Sequence, residues 1–177
     1  MRQNMNKERQ SWILEFFLPV LAVLLLNLFV VRLVVVSGDS MYPTLHDHDL
    51  LIVRMLGYKP QAGDIVVAHT DPDGSLGGEE IVKRVIATEG QTVFVDYGND
   101  RVTVNGTILE EDYINLEEAD PMQDGIYENT VYVVPKDCVF VMGDNRNHSA
   151  DSRESAVGMI EESDVFGGLL LRIPVGR

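Results

Sequence analysis

Ile81-Val82-Lys83-Arg84-Val85-Ile86-Ala87 is a run of apolar residues broken by two cations and closed by Glu89-Gly90. A β-branched run bounded by turn residues reads as a strand. With a period of two, Ile81, Lys83, Val85 and Ala87 share one face, which sets an amine among apolar neighbours. Working outward, Leu50 to Val53 and Asp64 to Ala68 precede it as similar short runs, and Thr92 to Val95 and Arg101 to Val104 follow. Asn105-Gly106 between Val104 and Thr107-Ile108-Leu109 is a strong two-residue hairpin signal. Val131 to Val134 and Cys138 to Met142 complete the set, while Glu154 to Ser163 offers one short helical turn. The expectation is a mainly-β body of antiparallel strands, sandwich- or barrel-like.

Ahead of this body lies the most apolar part of the chain. Phe16 to Val31 carries no charge, and Trp12 to Leu14 and Leu33 to Val36 extend it toward the ~20 residues a membrane-crossing helix needs. Glu15 and Arg32 then fall near the two interfaces, where Arg32 can snorkel. Arg2, Lys7 and Arg9 precede the run and Asp39, Asp47 and Asp49 follow it, a bias that puts the N-terminus on the cytoplasmic side. The predicted organisation is a cytoplasmic tail over 1–11, a transmembrane anchor over 12–36 and an extracytoplasmic domain over 37–177. A cleavable signal peptide ending near Val35-Val36-Ser37 is the competing reading. The stretch is longer than the ~7–15 residues of a typical signal-peptide core, which favours the anchor.

Composition narrows the function. The 177 residues carry a net charge of −14; up to Arg32 four basic residues face two acidic ones, so the remainder holds −16. Such a surface repels nucleic acid. The single cysteine, Cys138, rules out an internal disulfide and sits in an apolar run as a structural thiol would, without a His or Asn pattern to make it catalytic. Two segments read as surface loops: Thr70 to Glu80, and an acidic insertion over 110–130, whose charge predicts a solvated loop.

Three stretches carry chemistry. Ser37-Gly38-Asp39-Ser40-Met41-Tyr42-Pro43-Thr44-Leu45 follows the anchor, with Gly38 permitting close backbone approach and Pro43 holding Tyr42 extended. Ser40 is either a turn residue or a nucleophile, and a nucleophile needs a base. His46, His48, His69 and His148 are candidates. His46-Asp47-His48-Asp49 also admits a metal reading, but without a spaced third ligand a polar turn explains it better. Lys83 is the other candidate base, since an amine among apolar residues is desolvated and partly neutral. The alternative for Lys83 is an edge-strand lysine that discourages aggregation. The third stretch, Gly143-Asp144-Asn145-Arg146-Asn147-His148-Ser149-Ala150-Asp151-Ser152-Arg153, holds more specific polar groups than a plain turn needs.

Taken in order, these stretches, with Gly63-Asp64-Ile65-Val66-Val67, resemble the four motifs of the bacterial type I signal peptidases, Gram-positive-like in form. The resemblance spans Trp12 to Gly158. It implies a membrane-bound serine endopeptidase that removes signal peptides from exported preproteins at Ala-X-Ala-type sites, with Ser40 as nucleophile and Lys83 as general base. It further implies that Ser149 hydrogen-bonds the lysine, that Asp151 and Arg153 pair beneath the site, and that Asp144 and Arg146 support it. Met41 and Pro43 fall on the substrate-binding side. Gly38 stands where many relatives have a second serine, which leaves the oxyanion to backbone N–H groups such as that of Ser40. No metal or cofactor is implied; the expected partners are preproteins and the lipid bilayer, not nucleic acid. The rival from another class is a catalytically silent, membrane-tethered β-domain that binds or assembles.

Overall fold

The computed structural model describes residues 15–21, 23, 24, 30–114, 122 and 129–175. Eleven strands form within them: β1 Val31–Val35, β2 Leu50–Arg54, β3 Ile65–His69, β4 Glu80–Thr88, β5 Thr92–Asp96, β6 Arg101–Val104, β7 Thr107–Ile108, β8 Thr130–Val133, β9 Cys138–Met142, β10 Ile160–Glu161 and β11 Val165–Ile173. They build a seven-stranded sheet in the order β1-β2-β11-β3-β4-β9-β10 and a four-stranded sheet in the order β7-β6-β5-β8. Every pairing is antiparallel. The mainly-β expectation holds.

The second sheet is an excursion between two strands that pair directly. The chain leaves β4 through Glu89-Gly90, builds β5 to β8, and returns as β9 beside β4, with Val85 opposite Val141. The hairpin read from Asn105-Gly106 is present. Both residues have positive φ, 50° and 80°, as a type I′ turn demands, and Val104 faces Thr107 across it. Between the sheets, Val93, Val95, Val102, Phe140 and Met142 are all essentially inaccessible, and Met122 from the acidic insertion joins them. Burying each side chain of this size contributes roughly 1.5–3 kcal/mol before entropy is counted.

Strand β1 corrects the expected anchor boundary. Val31 to Val35 pair with Arg54 to Leu50 of β2 and so belong to the folded body rather than to a helix over 12–36. The alternation that apolarity disguised is plain in burial: Val34 and Val36 enter the core, while Leu33 and Val35 face outward. Arg32 lies 4.7 Å over the Phe166 ring and 3.2 Å from the Glu80 carboxylate. Residues 15–21, 23 and 24 are helical, and among the described residues no helix is long and apolar enough to cross a membrane. The rest of the proposed anchor, Trp12 to Leu14, Ala22 and Leu25 to Phe29, lies outside the described residues.

The C-terminal strands were also hidden. Glu154 to Val157 make a turn, as expected, but Ile160–Glu161 then pair with Val139 and Cys138. Strand β11 runs between β2 and β3 and joins the two halves of the large sheet. Its Gly167-Gly168 pair breaks the apolar pattern for a steric reason. A Cβ on Gly167 would stand 2.5 Å from the Arg54 carbonyl oxygen, and one on Gly168 would collide with the Tyr58 ring. Gly167→Ala is therefore expected to destabilise the domain by about 1–3 kcal/mol, the usual cost of overpacking, as measured by denaturant unfolding. An unchanged midpoint would show that β11 is not held this closely.

Candidate active site

Ser40 sits in a closed loop between β1 and β2. Val36 and the His48–Asp49 segment exchange backbone hydrogen bonds of 2.9 Å at its base. Met41 and Leu45 anchor the loop from within, each about 1% exposed in the core beneath β1 and β2. Gly38 takes φ of 84°, a conformation that suits glycine, and its N–H donates to the Asp47 carboxylate at 2.9 Å.

Lys83 approaches from β4. That strand lies inside the large sheet, between β3 and β9, so the edge-strand reading of Lys83 does not hold. Its side chain is 5% exposed, and Nζ lies 2.7 Å from Ser40 Oγ. Burial pushes the Lys83 amine below the ordinary lysine range; the charge of Asp151 acts against this and that of Arg153 reinforces it. An amine so placed is neutral more often than a surface lysine and has the serine proton within reach.

The 143–153 loop supports the serine loop. Asn145 N–H donates to the Ser40 carbonyl at 3.0 Å, and its side-chain amide donates to the Asp39 carbonyl at 3.1 Å. Gly143 N–H donates to Asp151, which pairs with Arg153 through Nε at 2.8 Å and Nη2 at 2.9 Å. Arg153 also donates to the Arg146 carbonyl at 2.7 Å, so the pair ties both ends of the loop together. Gly143 is obligatory on geometry: a Cβ there would lie 2.5 Å from the Ser40 carbonyl oxygen.

Asp144 and Arg146 reach outward to separate partners. Asp144 is fully buried, receives Arg84 through Nε at 2.8 Å and Nη2 at 2.7 Å, and accepts the Thr44 hydroxyl of the serine loop. For Arg84, burial alone would lower the pKa, but the Asp144 carboxylate outweighs it and raises it. Arg146 pairs with Glu111, and Arg84 stacks 3.9 Å over the Tyr113 ring. At Glu111 the described part of the 110–130 segment departs from a solvated loop, while Glu110 and Asp112 are exposed as expected. The Glu111 side chain is only 5% exposed, because a buried guanidinium needs a buried counter-charge. Residues 115–121 and 123–128 of the insertion lie outside the described residues. Glu111 and Tyr113 are among the residues the sequence does not reveal; nothing in an acidic run marks which carboxylate turns inward.

Other expectations meet mixed outcomes. Ser149 Oγ is buried near Gly143 but makes no hydrogen bond among the described residues, so it does not hold Lys83 as the resemblance implied. Lys83 Nζ instead meets Ser40 Oγ at 2.7 Å. Met41 lines a cleft of about 260 Å³ with Val34 to Ser37, Leu76, Glu79 to Lys83 and Ala150, whereas exposed Pro43 does not. None of the four histidines has a hydrogen bond to Ser40 among those described: His46 meets Arg172, His48 meets Asp47, His69 meets Glu80, and His148 is exposed. Among the described residues no group of three or more His, Cys, Asp or Glu is arranged to hold a metal ion. Cys138 is partly buried, and burial followed by nearby carboxylates raises its thiol pKa.

A desolvated amine on a serine hydroxyl, at the end of a strand-lined cleft, is what a serine hydrolase with a lysine base requires. Comparison with known proteins gives the same class. The family described as signal peptidase, peptidase S26, matches residues 9–173. The chain is 32% identical to signal peptidase IB of Staphylococcus aureus, over 95% of this chain and 91% of that one. It is 34% identical to signal peptidase I S of Bacillus subtilis, over 93% and 90% respectively. The crystal structure of a signal peptidase I from Enterococcus faecalis superposes with a TM-score of 0.52 at 29% identity, covering 64% of this chain and 98% of that one. The chain belongs to the signal peptidase family, peptidase S26, and is by class a serine endopeptidase.

The Glu111–Arg146 pair can be tested on its own. Removing one partner of a buried ion pair leaves a bare charge, so Glu111→Ala is expected to cost about 3–5 kcal/mol of unfolding free energy. A change below about 0.5 kcal/mol, as for most surface substitutions, would return Glu111 to the solvated loop.

Proposed function

We propose that this enzyme removes signal peptides from exported preproteins, with Ser40 as nucleophile and Lys83 as its only base. The observation that carries the reading is the 2.7 Å approach of the buried Lys83 amine to Ser40 Oγ. The neutral amine takes the hydroxyl proton as Oγ attacks the scissile carbonyl, and the resulting ammonium returns it to the leaving amine. The acyl-enzyme is then hydrolysed by water activated through the same amine. The developing oxyanion falls to backbone N–H groups of the 38–41 turn, that of Ser40 foremost, since Gly38 brings no hydroxyl.

The cleft supports an extended substrate. One wall is the end of β1, Val34 to Ser37, and the other is Glu79 to Lys83, so a peptide laid between them runs toward Ser40. The apolar part of its lining, Val34, Val36, Met41 and Leu76, suits small or aliphatic side chains.

Membrane attachment completes the proposal. Phe16, Phe17, Leu18, Val20 and Val23 are each more than half exposed on the described helical residues, which argues for an apolar surrounding. The folded domain has an apolar face of its own. Cross-strand register aligns Leu33, Ile52 and Leu171 in one row and Val35, Leu50 and Ile173 in the next, on the face opposite the core. An anchor ending near β1 would bring this apolar face and the cleft to the bilayer, where the substrate's own apolar segment is held and its local concentration rises. The basic residues Arg2, Lys7 and Arg9 put the N-terminus inside and the catalytic domain outside.

Purified full chain assayed on a preprotein decides between peptidase and silent module. Ser40→Ala and Lys83→Ala are each expected to lower kcat by at least ~10³-fold, and EDTA to leave the wild-type rate unchanged. Protonation disarms Lys83, so kcat/KM should rise with pH along a limb whose midpoint lies below the ordinary lysine range. Equal cleavage by all three proteins would overturn the assignment, and no cleavage by wild type would favour the silent module.

A further inference from the structure

The His46-Asp47-His48-Asp49 segment has no place in the chemistry above, yet three of its four side chains are engaged in holding the serine loop. Asp47 receives Gly38 N–H. Asp49, 2% exposed, accepts the His46 backbone N–H at 2.8 Å and lies 2.6 Å from Arg172 Nε. Arg172 also donates through Nη1 to the Thr44 carbonyl at 2.7 Å, and Nη2 lies 2.7 Å from His46 Nδ1. One guanidinium from the far end of the chain thus meets three separate groups of the loop.

We propose that Arg172 is a positioning residue for the nucleophile, acting through Asp49, the Thr44 carbonyl and the unprotonated Nδ1 of His46. The inference rests on Ser40 being the nucleophile. Arg172 is opposite Leu51 in the β2–β11 register, and Leu51 is fully buried, so the guanidinium projects from the core-facing side of a rigid sheet. A guanidinium only donates hydrogen bonds, so the His46 nitrogen facing it must present its lone pair. The His46 ring is backed by Tyr42, edge-on at 5.3 Å. The loop is therefore held at two ends by different elements. The 143–153 loop fixes Ser40 and Asp39, and Arg172 fixes Thr44 to Asp49. Thr44 joins the two, since its hydroxyl reaches Asp144 while its carbonyl receives Arg172. Burial would raise the Asp49 carboxyl, but the His46 N–H and Arg172 outweigh it and hold it below the usual carboxylate range.

Releasing this end lets Ser40 drift from Lys83 while leaving the cleft walls in place. Misplacement of a reacting group by about 1 Å can cost up to ~10²-fold in rate. The test uses full-length Arg172→Met, His46→Leu and His46→Asn, the last keeping an acceptor for Nη2. Arg172→Met and His46→Leu should lower kcat on a preprotein by roughly tenfold or more with KM within about twofold, and His46→Asn should stay near wild type. Hydrogen exchange of the amides in residues 37–45 should quicken in the first two and not in the third, a readout that needs no activity. If wild type cleaves nothing, the peptidase reading fails while exchange still decides the positioning. The inference is overturned by unchanged exchange and kcat in folded variants, by parallel losses in kcat and binding, or by His46→Asn behaving as His46→Leu. Should Arg172→Met not fold, the two His46 variants decide alone.

Discussion

The amine of Lys83 is kept out of water without a carboxylate in hydrogen-bonding contact among the described residues, and the rest of the site is arranged around that constraint. A lysine so buried costs free energy in its charged form, so the protein keeps it only by lowering its proton affinity. Of the carboxylates that act on it, Asp151 is engaged by Arg153 and by Gly143 N–H and Asp144 by Arg84 and Thr44, while Glu79 acts from the cleft wall. Were Asp151 or Asp144 turned onto Lys83, the amine would be held as an ammonium and could not act as a base. The two arginine pairs thus have an electrical as well as a mechanical role.

The fold supplies rigidity where that electrostatic balance needs it. Lys83 projects from an interior strand, so its backbone is fixed on both sides, by β3 and by β9. Ser40 lies on a loop, which has no such support of its own. The loop borrows it from Met41 and Leu45 in the core, from the 143–153 loop on one side and from β11 on the other. The second sheet, inserted between β4 and β9, covers the underside of this assembly. Through Glu111 and Tyr113 the acidic insertion fixes the arginines that in turn fix Gly143 and Asp144.

Much of this was legible in the chain, for identifiable reasons. Short β-branched runs punctuated by turn residues marked most strands, and the Asn105-Gly106 hairpin fell where its turn chemistry placed it. Ser40 and Lys83 were each ambiguous alone; only the resemblance across four ordered motifs joined them. What was hidden shares a physical cause. Strand β1 vanished into a neighbouring apolar run because Arg32, its one polar residue, is too little to reveal the period among Val31, Leu33, Val34 and Val35. Strand β11 was masked by Gly167-Gly168, residues chosen for close packing against Arg54 and Tyr58 rather than for strand propensity. Glu111 and Arg172 could not be read at all, since each depends on partners 35 to 128 residues distant.

The central claim is that burial makes Lys83 a base at the serine. The most direct measurement is a titration of the Lys83 side chain itself, followed by the carbon-13 shift of its ε carbon in the full-length protein. The account requires a midpoint displaced below the ordinary lysine range, and a return toward that range when Asp151 is freed by Arg153→Met. A Lys83 midpoint within the ordinary lysine range would contradict it.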